Sequence, residues 1–139
     1  MPKLTAEQRA LVAERAFECC EYCRSQLRFS PDPFSIEHIL PRSKGGSDEL
    51  DNLALACQGC NAHKFTSTDA TDPASGERVV LYHPRQDNWE EHFVWSEDTS
   101  LIIGLSPTGR ATVSKLKLNR PGVVNLRRVL AELGEHPPG

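Results

Sequence analysis

Cys20-Glu21-Tyr22-Cys23 and Cys57-Gln58-Gly59-Cys60-Asn61-Ala62-His63-Lys64 are the stretches that decide the architecture, with Glu37-His38 between them. A C-x-x-C turn delivers two thiolates from one tight loop, and Zn2+ takes four soft ligands in a tetrahedron. Two such knuckles therefore specify one structural zinc site built from Cys20, Cys23, Cys57 and Cys60. Gly59 suits a backbone that curls around a metal. The chain runs from Met1-Pro2-Lys3-Leu4 into a polar, amphipathic stretch with no secretory leader. That makes a cytoplasmic, reducing setting the expectation and favours metal binding over disulfides. Cys19 is left over; it could replace Cys20 as a ligand, but the spacing to Cys23 favours Cys20 and makes Cys19 an ordinary buried thiol. A rubredoxin-like iron centre is the rival metal reading, and visible colour separates it from zinc.

With 139 residues, the chain fits one domain, or a small motif domain plus an appended region. Ten prolines, nine glycines and 6% aromatics describe a loop-rich fold with a modest core. Structural zinc then carries much of the folding energy, on the order of 10–16 kcal/mol in small zinc modules. No apolar run reaches membrane-spanning length, so no membrane partner is expected. The net charge of -3 does not by itself announce a nucleic-acid binder, but its distribution is uneven. Arg110, Lys115, Lys117, Arg120, Arg127 and Arg128 fall between Leu105 and Leu130 without an acidic residue, while Asp87, Glu90, Glu91, Glu97 and Asp98 cluster upstream. The basic segment could track a phosphate backbone, and a solvated helix face explains the same charges equally well.

The pattern predicts an α+β chain. Thr5 with Gln8 forms a capping box for a helix carrying Ala6, Ala10, Ala13 and Phe17. Residues 34–39 read as a short strand, 41–48 as a loop with Gly45-Gly46, 52–56 as the partner strand and 58–65 as a short helix. Residues 66–76, rich in Ser, Thr, Asp and Pro, read as a linker or flexible loop. Strands are expected over 79–82, 93–95 and 101–105, and a helix over 108–118. The last helix shows an apolar stripe of Val123, Leu126, Leu130 and Leu133 between Pro121 and Gly134. Residues 1–65 thus form a core with an N-terminal helical element, and residues 66–139 a mixed C-terminal extension packed on it or appended to it.

The segment from Cys20 to Lys64 resembles the HNH endonucleases, the ββα-metal nucleases, in the form stapled by a four-cysteine zinc site. The residues that carry the resemblance are C-E-Y-C, I-E-H-I-L-P-R-S-K-G-G and D-E-L-D-N-L-A-L-A-C-Q-G-C-N-A-H-K. Glu37-His38 stands where the family has Asp-His or Glu-His, Asn52 at its central asparagine, and Asn61 at its third His/Asn position. The later motifs Leu81-Tyr-His-Pro-Arg85, Trp89-Glu-Glu-His-Phe93 and Thr108-Gly-Arg-Ala-Thr-Val113 resemble those of a group of bacterial HNH proteins.

The resemblance implies a DNA endonuclease that nicks or cuts both strands. His38 would be the general base, because an imidazole titrates near working pH. Glu37 and Asn61 would hold a catalytic Mg2+ or Mn2+, hard oxygen ligands for a hard cation, and cleavage would leave 5′-phosphate and 3′-hydroxyl ends. Asn52 would brace the loop between the strands. Arg42, Lys44 and Lys64 flank this site as candidate phosphate contacts, with Arg110, Arg127 and Arg128 as candidate DNA contacts in the extension. His63 points elsewhere on its helix. Each role has a bland rival: a satisfied strand histidine at 38, a helix cap at 61, solvated cations elsewhere. A non-catalytic zinc module binding nucleic acid or protein is the alternative function. Oligomeric state is not legible.

Overall fold

The computed structural model describes residues 4–139. Helix α1 (Ala6–Arg15) begins at Thr5, whose side chain accepts from Gln8 N while the Gln8 side chain accepts from Thr5 N. This reciprocal bonding satisfies two of the amides that a helix start leaves unpaired. Strands β1 (Ser35–His38) and β2 (Leu53–Ala56) form an antiparallel hairpin in which Glu37 pairs with Ala54 and His38 with Leu53. Helix α2 (Gln58–Lys64) follows at once, so ββα order is complete by residue 64.

Alternation along the hairpin sends its two faces to different helices. Leu53, Leu55 and Ile36 pack with Val12 of α1 and with Ala16, the residue that caps its end. Ala54 and Ala56 join the larger core, which also holds Cys20, Tyr22 and Cys60. That core continues without a break into Leu81, Tyr82, Trp89, Phe93, Ile102, Ala111, Leu116 and Leu118, so both halves of the chain share it.

The second half contains two further hairpins, β3 (Asp69–Thr71) with β4 (Arg78–Val80), and β5 (Phe93–Trp95) with β6 (Ile102–Gly104). A helical turn, α3 (Trp89–His92), precedes β5, and helices α4 (Pro107–Leu116) and α5 (Pro121–Glu132) close the chain. Ser106 caps α4 by accepting from Gly109 N, and proline opens both final helices.

Two expectations are corrected. Residues 66–76 are not a plain linker: they carry β3 and the fully buried Asp72, whose carboxylate takes Arg110, Ala74 N and Ser75 Oγ. Polar composition hid an element because its one buried charge is satisfied locally and by α4. On α5 the buried positions are Val124, Arg127 and Leu130, while Leu133 is 68% exposed. A guanidinium with partners on its inner side lets an arginine occupy the stripe.

Candidate functional site

The four cysteine Sγ atoms of Cys20, Cys23, Cys57 and Cys60 lie within 4.8 Å of one another, and all four residues are buried. A Zn–S bond of about 2.3 Å in a tetrahedron separates sulfurs by about 3.8 Å. Cys23 Sγ and Cys57 Sγ stand 3.6 Å apart, and none of the cysteines is in a disulfide. The set therefore fits a structural Zn2+. Hydrogen bonds from the neighbouring thiols, that of Cys20 foremost, bring Cys57 down to about 7. Cys19 stays outside the cluster, where burial pushes its thiol up.

Arg120, from the turn before α5, donates to Cys57 Sγ at 3.2 Å and to Cys60 Sγ at 3.7 Å. Its guanidinium lies where a Cβ at residue 59 would stand, and Gly59 leaves it that room. Hydrogen bonds to metal-bound thiolates offset their negative charge. In the sequence Arg120 is only one of a basic run, since its partners lie about sixty positions away.

The first knuckle is tied to the hairpin by Glu21, which accepts Leu55 N at 2.8 Å and pairs with Arg85. Trp89 Nε1 donates to Tyr22 O at 3.2 Å. The motifs of the second half thus brace the knuckle.

Glu37 and His38 are neighbours in sequence and point to opposite faces of β1. Glu37 is 4% exposed; its Oε2 accepts from Tyr22 OH at 2.6 Å, and Lys64 Nζ lies 2.5 Å from its Oε1. The same ammonium donates to Ile39 O at 2.9 Å. The Oε1 contact is close but poorly aligned for a hydrogen bond, so it acts through charge. Lys64 is therefore no surface phosphate clamp: it is 2% exposed and neutralises Glu37.

His38 faces the other way, toward α1. Its Nε2 lies 2.7 Å from Asp48 Oδ1, and Arg42 Nε reaches the same oxygen at 2.9 Å. These two donors, His38 foremost, hold the Asp48 carboxyl below the usual range. A carboxylate only accepts, so Nε2 carries the proton and the neutral imidazole keeps its lone pair on Nδ1. Asp48 was not singled out in the sequence; its position one loop after Glu37-His38, just past Gly45-Gly46, was the available signal.

Asn52 fixes that loop. Its Oδ1 accepts from Leu40 N at 2.8 Å, and its Nδ2 donates to Leu40 O at 2.9 Å and Ser47 O at 2.8 Å. Gly46 passes so close to the Leu40 carbonyl that no Cβ could fit there. Asn61 sits half-buried on α2, without a side-chain hydrogen bond among the described residues. Lys44 is exposed beside Arg42.

The expected DNA contacts of the extension fare differently. Arg127 is 3% exposed and donates to the carbonyls of Ser100, Leu118 and Cys23 and to Asn119 Oδ1. It is a buried clamp between α5 and the first knuckle, and the expectation of a DNA contact there is corrected. Arg110 gives Nε and Nη2 to Asp72 at 3.0 and 2.9 Å, so its fork is already committed. Arg128 alone of the three is exposed on α5.

The four-cysteine cluster, the ββα order and the Glu37-His38 strand coincide with a family match. Residues 20–66 match the HNH endonuclease family. The HNH segment ends just past α2, and the match points to a nuclease-type hydrolase acting on nucleic acid. No curated protein and no solved structure matches significantly. No helix among the described residues is long and apolar enough to cross a membrane.

Proposed function

We propose that the protein is an HNH endodeoxyribonuclease in which His38 is the general base for hydrolysis of a DNA phosphodiester bond. The observation that carries this reading is the His38–Asp48 contact of 2.7 Å at an open groove on the α1 side of the hairpin. Asp48 fixes the imidazole's tautomer, and Nδ1 is left without a protein partner among the described residues. That nitrogen takes the proton of a water attacking phosphorus as the bond from phosphorus to the 3′-oxygen breaks, and the departing oxygen takes a proton from solvent water. Arg42, anchored on Asp48, places positive charge beside the phosphate as negative charge develops. Asn52 holds the loop that carries both.

A catalytic Mg2+ or Mn2+ at Glu37 and Asn61 fits this arrangement poorly. Both Glu37 oxygens already face Tyr22 and the Lys64 ammonium, and a divalent ion there would meet a buried positive charge. The proposed chemistry is accordingly routed through His38, Asp48 and Arg42. Zinc at the four cysteines has a folding role, holding the knuckles that frame α2.

The test is plasmid cleavage by zinc-loaded protein with EDTA, Mg2+ and Mn2+ in parallel, beside the His38→Ala variant. Nicked or linear DNA that disappears in the variant supports the reading. Absence of cleavage from a folded protein under every condition removes it and leaves a zinc-stapled binding module.

A further inference from the structure

The HNH match begins at residue 20, yet one wall of the groove beside His38 belongs to α1, upstream of it. We propose that Arg9 of α1 binds a backbone phosphate of the substrate, making this groove, and not the Glu37 face, the seat of the cleaved strand. The inference rests on the nuclease reading above.

The groove has a volume of about 370 Å³ and is lined by Leu4, Arg9, Ile36, His38 and Arg42. Ile36 and His38 reach it together because they are two apart on β1. Its lining holds two arginines and no carboxylate. Arg9 is exposed, and among the described residues it enters no ion pair, whereas Arg28, Arg42, Arg78, Arg85 and Arg110 each hold an acidic side chain. Arg15, at the far end of α1, is spent on the Leu53 carbonyl. An unpaired guanidinium beside an oriented imidazole is a donor fork without an acceptor, the arrangement a phosphate diester completes. Leu4 and Ile36 supply apolar wall against which sugar faces can lie. On the opposite face of the hairpin Glu37 and Lys64 are buried against each other.

The test uses the zinc-loaded, non-cleaving His38→Ala protein and a fluorescently labelled DNA duplex, with binding followed by anisotropy across a salt series. Arg9→Gln on that background should weaken binding about tenfold and reduce the slope of log K against log salt by about one. Arg78→Gln, on β4 outside the groove, should change neither by more than about twofold. In the cleaving protein, Arg9→Gln should raise KM more than it lowers kcat. Equal effects from Arg9→Gln and Arg78→Gln, or an unchanged salt slope, would overturn the proposal. The two readings fail separately: absent cleavage with Arg9-dependent binding removes the nuclease and keeps the groove, while His38-dependent cleavage indifferent to Arg9 does the reverse.

Discussion

His38 Nε2 lies 2.7 Å from Asp48 Oδ1, and Arg42 Nε donates to the same oxygen at 2.9 Å. The carboxylate thereby sets both the orientation and the tautomer of the imidazole, leaving Nδ1 as its basic atom.

Asp48→Asn should keep the fold and slow cleavage by roughly 10²-fold or more, because an amide can offer an N–H where the imidazole needs an acceptor. Single-turnover rates report the loss, and imidazole 15N shifts report the tautomer without reference to activity. A wild-type rate, or an unchanged tautomer, would detach Asp48 from the base.

Removal of Arg120 tests the support of the zinc site. Arg120→Ala should lower zinc affinity by about 10- to 100-fold, measured by chelator competition. Gly59→Ala, which drives a methyl into the same guanidinium, should move in the same direction. Unaltered metal retention in both would mean that the thiolates need no outside donor.

Arg127 and Arg128, adjacent in sequence, should separate cleanly. Arg127→Ala leaves several buried acceptors without donors and should cost about 3 kcal/mol or more, read from urea unfolding. Arg128→Ala should stay within about 0.5 kcal/mol. Similar values for the two would contradict the buried clamp.

Lys64→Met should strand the Glu37 carboxylate in the core and destabilise by roughly 3–5 kcal/mol. Adding Glu37→Gln should restore much of that loss, since the double change removes both charges. Additive losses in this cycle would show that the pair does not interact.

The Asp72–Arg110 bond gives a pH signature. The Arg110 guanidinium holds the Asp72 carboxyl well below the usual carboxylate range. A lowered folded-state value means that its stabilisation is complete above the unfolded value of about 4 and fades as acid protonates the folded group. The stability gap between wild type and Arg110→Gln should thus be flat from pH 7 to about 5 and narrow at lower pH. A gap that widens in acid would reverse the assignment.

Local chemistry decided much of this protein from the sequence alone. The C-x-x-C spacing named the four cysteines that cluster as a fit for zinc, and Thr5 with Gln8 marked the first helix. Two apolar runs flanking Gly45-Gly46 gave the β1–β2 hairpin, and Asn52 stood out between them. Each of these signals acts within a few residues, through ring closure at a metal, capping or turn geometry, and is therefore written in the order of the chain. Tertiary structure decided which charges remain free. Lys64, Arg110, Arg120 and Arg127 look alike as letters, yet one neutralises Glu37, one holds Asp72, one serves the cysteine sulfurs and one clamps carbonyls. Their partners lie far away in sequence, so only packing tells a buried, paired cation from an open one. For the same reason only the fold could set different surroundings over Glu37 and His38, and bring Arg9 to the groove beside His38.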